Sequence, residues 1–167
     1  MAIKKKLSFS RMNKTQLRRL FERTNRLSVI LRIALHELKL VEKSKRFVVD
    51  MSDWCAMYVG SKECRVCLAG SCMVGMYDWR EKLLKGGIRC GEFGLSPSDF
   101  RGHDRSAQKF EALNALRVGG VQDAVDILGL GLSCQCLDRD VVSYDEDSKK
   151  WREQMEQLVR DLEGLDI

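Results

Sequence analysis

Two cysteines at the spacing of a metal-binding turn are the first candidates for chemistry in this sequence. Cys64 and Cys67 form a Cys-x-x-Cys pair, and tetrahedral zinc takes two thiolates from such a turn and two ligands from elsewhere. The residues that could supply the other two ligands are Cys72, Cys90, His103, Cys134 and Cys136. A zinc ribbon repeats the motif in turn-rich sequence, whereas Cys67 opens an apolar segment of small residues. The pattern therefore favours free buried thiols, with zinc as the less favoured alternative, and we assign no metal ligand and no cofactor.

Side chains that could catalyse a reaction are scarce. The chain has two histidines, His36 and His103, and His36 falls near the apolar stripe of a helical pattern, which favours a structural role. The sequence lacks the Gly-x-Ser-x-Gly elbow, the His-Glu-x-x-His zinc motif and the phosphate-binding loop that ends in Gly-Lys-Ser or Gly-Lys-Thr. We therefore predict that the protein is not an enzyme and has no catalytic residue.

Basic residues interspersed with glycines between positions 85 and 105 form the strongest candidate site. Glycine-rich loops and helix N-termini bind phosphate through backbone N–H groups, and guanidinium groups add charge-assisted hydrogen bonds. Neighbouring aromatic rings could stack on a nucleobase. The predicted ligand-binding residues are Arg89, Arg101, His103 and Arg105 for the anion, with Trp54 and Tyr58 for the base.

An alternative anion-binding surface lies in the first 46 residues, because the charge is unevenly distributed. Residues 1–46 carry 14 Lys or Arg against three Glu, a net charge of +11, and residues 47–167 carry 15 against 21, a net charge of −6. Such a division indicates either an internal electrostatic contact between the two parts or an anionic partner for the basic part. The alternative is an ordinary basic helix face that is solvated by water. A surface that follows a nucleic-acid backbone would use Lys4, Lys5, Lys6, Arg18, Arg19, Arg23 and Arg26.

Size and composition indicate one folded helical domain. The chain has 167 residues, 44% of them hydrophobic, with one proline and 7% aromatics, which excludes a disordered or fibrous protein. No apolar run approaches the roughly 18 residues of a membrane span. Seven cysteines are an odd number, as expected for free thiols in a reducing compartment. We expect a cytoplasmic protein with a flexible basic arm at 1–12, a single domain at 13–167 and no membrane contact.

The main element that the sequence predicts is a long helix over residues 14–43, with Asn13 as its N-cap and Thr15 as the alternative. Apolar residues at spacings of three and four form one stripe along it. Val29, Ile30 and Ile33 add apolar groups on the opposite side. That section is therefore either buried on all sides or forms a contact between the subunits of a homo-oligomer.

A second predicted helix, residues 66–76, is rich in small residues. Gly70 and Gly75 each cost roughly 1 kcal/mol in a helix interior, so we expect tight packing of this helix against a neighbour. Further predicted elements are helices at 105–118 and 121–128, a C-terminal helix that begins at Asp147 or Ser148, and short strands at 47–51 and 141–144 that could pair. The predicted fold class is mainly α, a compact single-domain helical fold around the long N-terminal helix, with room for a minor two-stranded β element.

Two motifs carry a resemblance to a known group of proteins. Asp50-Met51-Ser52-Asp53-Trp54 is followed by Cys64-Arg65-Val66-Cys67-Leu68-Ala69-Gly70-Ser71-Cys72-Met73, and Phe110–Arg117 reads Phe-Glu-Ala-Leu-Asn-Ala-Leu-Arg. This pattern resembles small accessory proteins of tailed bacteriophages, which share a DMxxW…CxVCLAGxxM motif and a later L-x-A-L-x-x-L-R-type helix. The chain has Ser71-Cys72 where the group often has alanine. The group has no settled activity, so the resemblance implies a phage origin and expression in the cytoplasm of a bacterial host.

Phage accessory proteins of this size often inhibit host defence. Together with the basic segment and the scarcity of catalytic groups, the resemblance implies a non-catalytic counter-defence protein that binds and sequesters an anionic, nucleotide-type host immune signal. Two alternatives stay open, an inhibitor that binds a host defence protein directly and a basic accessory protein that binds nucleic acid. The expected partner is thus an anionic small molecule or a host defence protein.

Overall fold

The computed structural model describes residues 9–52, 54–57, 63–77, 93–100, 102 and 105–167. Within these residues the fold is mainly α, as predicted, with six α-helices and a small sheet of four strands. The helices are α1 (Lys14–Arg23), α2 (Leu27–Glu42), α3 (Leu68–Met76), α4 (Ser106–Leu116), α5 (Val121–Ile127) and α6 (Ser148–Gly164). The strands are β1 (Phe47–Val49), β2 (Cys55–Met57), β3 (Cys64–Val66) and β4 (Phe93–Leu95). None of the described helices has the length and apolar character needed to cross a membrane.

The predicted continuous helix over 14–43 is wrong, because the chain leaves the helical conformation between α1 and α2. The beginning is as predicted: Asn13 Oδ1 accepts a hydrogen bond from the backbone of Gln16, and the Gln16 side chain accepts one from the backbone of Asn13. At Thr24 the backbone is extended, with φ −76° and ψ 142°. Thr24 and Asn25 are poor helix formers, and a lysine from α4, described below, occupies the last carbonyl groups of α1.

Helix α2 is the core of the domain and is buried on almost every side. Val29, Ile30 and Ile33, the apolar groups on its second face, are all buried inside the single chain. Helices α3 and α6 and strand β1 pack around it. Burial in the core of the single chain therefore explains why this section is apolar on both sides. Val29, Ile30 and Ile33 leave no exposed apolar surface for the alternative, a contact between subunits of a homo-oligomer.

Helix α3 packs at the centre, and every one of its nine residues is buried. The expected close approach is confirmed at both glycines. A Cβ atom added to Gly70 would lie 1.4 Å from the carbonyl oxygen of Trp54, and one added to Gly75 would lie 1.6 Å from Oε2 of Glu37. A larger residue therefore requires the backbone of Trp54 to shift at Gly70 and the buried Glu37 side chain to shift at Gly75.

The sheet has the strand order β1-β3-β2-β4, with β1 and β3 parallel and the other pairs antiparallel. The predicted pairing of 47–51 with 141–144 is wrong, since Phe47 pairs with Cys64 and residues 141–144 form no strand. Val141 and Val142 pack against the core instead, and the backbone N–H of Val142 donates to Oε1 of Gln154. The β-branched residues of this segment thus reflect burial rather than strand pairing.

A candidate anion-binding junction between α1 and α4

Ion pairs between α2 and the C-terminal segment neutralise part of the basic N-terminal region. The Arg32 guanidinium donates two hydrogen bonds to the Glu163 carboxylate, at 2.5 and 2.8 Å, and these bonds raise the pKa of Arg32. Lys39 Nζ lies 3.8 Å from Oε1 of Glu156, and Arg26, at the start of α2, pairs with Asp166. The internal electrostatic contact that the charge distribution indicated is therefore present, and Arg26 is not available to an outside anion without competition.

Helix α1 carries the arginines that this internal contact leaves out. Arg18 is engaged by its own chain: its Nε lies 3.6 Å from Oε1 of Glu22 in the same helix, and its guanidinium carbon lies 5.6 Å from the centre of the Tyr77 ring, which follows α3. Arg19 and Arg23 are exposed and have no carboxylate partner among the described residues. They stand one helical turn apart on the solvent side of α1, a spacing at which like charges repel by about 0.2–0.5 kcal/mol. An anion bound between them would relieve this repulsion.

The hydroxyl group of Tyr77 joins α1 to the beginning of α4. It donates a hydrogen bond to Oε1 of Glu22 at 3.2 Å and lies 2.8 Å from the Oγ of Ser106. Burial raises the pKa of Tyr77 well above its ordinary value, so the phenol stays protonated and able to donate. Its ring also meets Phe100 and Phe110 edge-on, at 4.9 and 6.1 Å between ring centres. These contacts fix the first residue of α4 against α1.

Arg105 immediately precedes this contact. Its backbone is left-handed, with φ 62°, and its side chain is exposed, with no ion pair to any described residue and no hydrogen bond that caps α4. We call the surface formed by Arg18, Arg19, Glu22, Arg23, Tyr77, Arg105 and Ser106 the α1–α4 junction. The Tyr77 hydroxyl thus joins Glu22, the neighbour of Arg23 in α1, to Ser106, the neighbour of Arg105.

Lys109 lies beneath the junction and is fully buried. Its ammonium group donates to the carbonyl oxygens of Phe21 and Glu22, at 2.6 and 2.5 Å, and lies 5.7 Å from the centre of the Phe21 ring. Sequence reasoning missed this residue. The signal was its position one turn before Leu113 and two turns before Leu116 on the buried stripe of α4, where a charged residue requires partners.

Of the predicted site residues not yet discussed, the structure describes Trp54, and the others lie outside the described part of the chain. Trp54 is half-buried against the core, and its carbonyl oxygen accepts a hydrogen bond from the backbone N–H of Cys67 at 3.3 Å. These contacts hold the start of α3 and do not reach Arg105. The predicted residues that lie outside the described part of the chain are Lys4, Lys5, Lys6, Tyr58, Arg89, Arg101 and His103.

Cys64 and Cys67 do not converge on a common point. The sulfur of Cys64 lies 3.3 Å from that of Cys55, whereas the sulfur of Cys67 accepts a hydrogen bond from the backbone N–H of Gly70 and caps α3. The six described cysteines are free thiols. In the described ranges, no group of three or more His, Cys, Asp or Glu side chains is close enough to hold a metal ion.

Burial lowers the pKa of His36, which stands beside Phe9, consistent with a structural role.

A cavity between α2 and α6 is less suited to an anion. It has a volume of about 230 Å³, and its lining residues are Leu35, Lys39, Arg152, Glu153, Glu156 and Arg160. Two of its cations are engaged, since Lys39 pairs with Glu156 and Arg152 pairs with Glu42. An anion there would compete with these carboxylates.

The comparisons with known proteins add no relative. No protein-family model, no curated protein and no solved structure matches the chain.

Proposed function

We propose that this protein binds an anionic ligand at the α1–α4 junction without transforming it. The observation that carries the proposal is the difference between two groups of basic side chains, one paired with carboxylates of the chain and one not. Those at the α2–α6 contact are neutralised by carboxylates of the chain, whereas Arg19, Arg23 and Arg105 are exposed and have no carboxylate partner among the described residues. Exposed cations grouped in this way attract an anion and raise its association rate.

Arginine is suited to recognise phosphate in particular. Its planar guanidinium stays charged at every physiological pH and donates two parallel hydrogen bonds to a phosphate group. The hydrogen bonds of Tyr77 to Glu22 and Ser106 hold α1 and the start of α4 together before any ligand arrives. A ligand therefore loses little binding free energy to ordering of the protein.

The ligand class that we propose is a nucleotide-type host immune signal, which the protein sequesters in a phage counter-defence role in the cytoplasm of a bacterial host. The resemblance of the two sequence motifs to phage accessory proteins supports this setting, and the exposed Arg105 supports the use of the 85–105 segment. Arg89, Arg101 and His103 would add contacts to the phosphate groups in this proposal, and Tyr58 or Trp54 would stack on the base.

Binding of a nucleic-acid backbone is the second candidate, and the arrangement of α1 favours it. Arg19 and Arg23 follow one side of the helix, and Arg11 is also exposed just before the helix begins. Lys4, Lys5 and Lys6 precede them in the sequence. Repeated phosphate contacts of this kind bind nucleic acid with little sequence preference and with a strong dependence on salt.

Calorimetric titration of the full chain with cyclic dinucleotides and with a single-stranded oligonucleotide distinguishes the two. We expect Arg105→Gln to weaken nucleotide binding by about tenfold or more, since a hydrogen bond to a charged group contributes about 1.5–3 kcal/mol. The matched control is Lys43→Gln with Lys45→Gln, which removes exposed positive charge far along the chain from the junction and leaves nucleotide affinity unchanged. The nucleotide recovered after binding should be chemically intact.

The nucleic-acid alternative predicts a different pattern. Oligonucleotide affinity would then fall steeply with added salt, and Arg19→Gln with Arg23→Gln would reduce the slope of that dependence, whereas Arg105→Gln would matter less. Absence of binding by every cyclic dinucleotide and by the oligonucleotide at low salt would overturn both candidates. Hydrolysis of the bound nucleotide would overturn the non-catalytic role.

A further inference from the structure

Two buried thiols on neighbouring strands face each other closely. The sulfur atoms of Cys55 on β2 and Cys64 on β3 lie 3.3 Å apart. Both residues are only 1% exposed, and both are free thiols. A disulfide bond is about 2.05 Å long, so the two sulfur atoms need to approach by little more than an ångström.

The strand register brings the two side chains to one face of the sheet. Cys55 pairs with Val66 across the antiparallel β2–β3 ladder, so Cys64, two residues before Val66, is its diagonal neighbour. Residues two apart on a strand point to the same face. Diagonal neighbours are typically about 7–8 Å apart, just beyond the Cα separation of up to about 6.8 Å that disulfides usually span, so the bond requires a small shift of the strand backbone. A bond between them would be strained, and strained disulfides are the readily reduced ones.

We propose that Cys55 and Cys64 form a reversible disulfide when the protein meets a peroxide. The oxidant is a hydroperoxide, of which hydrogen peroxide is the small and uncharged example. It reaches the two buried thiols when the sheet opens locally. This inference is independent of the proposed anion binding, since neither cysteine belongs to the α1–α4 junction.

The two-step chemistry assigns a different role to each thiol. The Cys64 sulfur, as a thiolate, attacks one peroxide oxygen; the O–O bond breaks, hydroxide leaves, and Cys64 becomes a sulfenic acid. The Cys55 sulfur then attacks the Cys64 sulfur, the S–O bond breaks, and hydroxide leaves with the Cys55 proton as water. The proton that Cys64 lost neutralises the hydroxide of the first step, so that overall two thiols and one hydrogen peroxide give one disulfide and two waters; an organic hydroperoxide gives its alcohol in place of the first water.

The order of the steps follows from the contact between the thiols. The contact with Cys55, in which either sulfur can be the donor, lowers the pKa of Cys64, which favours the thiolate that reacts with peroxide. The same hydrogen bond, together with burial, raises the pKa of Cys55, which keeps it as the thiol that resolves the sulfenic acid.

The consequence for the fold is a covalent bond across the centre of the sheet. Strand β2 lies between β3 and β4, and the residue before it, Trp54, holds the start of α3 through its carbonyl oxygen. A bond from Cys55 to Cys64 would restrain this strand against β3. Reduction would release it.

The test is disulfide mapping of the full chain after hydrogen peroxide treatment. The oxidised protein is unfolded in the presence of N-ethylmaleimide, digested without reductant and mapped by mass spectrometry. We expect one new linkage, Cys55 to Cys64, with the loss of two hydrogen atoms, and its full reversal by dithiothreitol. Exposed Cys136 serves as the positive control that oxidant was present.

Two variants complete the test. Cys55→Ser should abolish the linkage and leave Cys64 oxidised to sulfinic acid or unpaired, whereas Cys72→Ser, which changes another buried cysteine, should leave it intact. The proposal would be overturned if Cys55 and Cys64 both remained alkylated in the wild-type chain while Cys136 was oxidised. Pairing of either one with a different cysteine would overturn it as well, and so would loss of the linkage in Cys72→Ser.

Discussion

The Nζ atom of Lys109 lies 2.6 Å from the carbonyl oxygen of Phe21, inside the core. In an uninterrupted helix that carbonyl would accept a hydrogen bond from the backbone of the residue four positions later, Asn25. The lysine takes this place at Phe21 and again at Glu22, and it thereby satisfies the C-terminal carbonyl groups of α1. A residue of α4 thus determines where α1 ends.

Replacement of this lysine by an apolar side chain of similar length should destabilise the domain. Lys109→Met keeps most of the packing volume but leaves the buried carbonyl groups of Phe21 and Glu22 without the ammonium donor, at a cost of about 1–3 kcal/mol in the free energy of unfolding. Urea unfolding followed by circular dichroism measures it. The matched control is Lys149→Met on the exposed side of α6, with an expected change below about 0.5 kcal/mol. Equal stability of the two variants would contradict the role of Lys109.

Substitution of glycine by alanine should affect stability differently at Gly70 in α3 and at Gly164 at the end of α6. In Gly70→Ala the new methyl group would stand 1.4 Å from the backbone oxygen of Trp54, which cannot move without a shift of the strand that follows. We expect the steric clash to lower the free energy of unfolding by more than about 2 kcal/mol, even after the gain of roughly 1 kcal/mol in helix propensity is counted. In Gly164→Ala, at the end of α6, nothing lies within 4 Å of the new methyl group. That variant should be as stable as the wild type or up to about 1 kcal/mol more stable.

Thermal and urea unfolding of the two alanine variants check this difference. A wild-type stability for Gly70→Ala would show that the approach of Trp54 to α3 is looser than the structure has it. A loss of stability in Gly164→Ala of the same size as in Gly70→Ala would show that the effect is a general one of glycine replacement.

The contact between Arg139 and Asp161 predicts a dependence of stability on pH. The carboxylate of Asp161 accepts hydrogen bonds from Arg139 at 2.7 Å and from Gln157 at 2.8 Å. The bond from Arg139, followed by that from Gln157, holds the pKa of Asp161 below its ordinary value of 3.8. A carboxyl group with a depressed pKa in the folded state stabilises the fold fully above its unfolded pKa, and this contribution is lost as the pH falls through the folded pKa.

Asp161→Asn should therefore lower the free energy of unfolding by about 1 kcal/mol near pH 7, the usual size for a partly exposed pair with good geometry. The difference from the wild type should shrink as the pH falls below about 4 and disappear once the carboxyl group is protonated in the folded state as well, as measured by urea unfolding at each pH. Asp140→Asn, at an exposed carboxylate with no ion pair among the described residues, provides the control. A difference for Asp161→Asn that is the same at every pH would contradict the charged hydrogen bond as its origin.

Several features could be predicted from the sequence because they depend on neighbours along the chain. The capping box at Asn13, the N-cap at Asp147, the helical class and the close packing of the small-residue helix all follow from local spacing and residue size. The uneven charge left an internal contact, an anionic partner and a solvated basic helix face as alternatives, and the pairing of Arg32 with Glu163 shows that an internal contact is present.

Other features required contacts between residues far apart in sequence, which no local pattern contains. The end of α1 at Arg23 depends on a lysine 86 residues away, and the apolar stripe that continues through the break gave no sign of it. Phe47 pairs with Cys64 and not with residues 141–144, whose β-branched side chains pack against the core. The link between Glu22 on α1 and Ser106 at the start of α4 depends on the hydroxyl group of Tyr77, which forms a hydrogen bond with each. Local sequence fixes the conformational preference of each segment, whereas burial and hydrogen bonding in the folded chain select which segments meet.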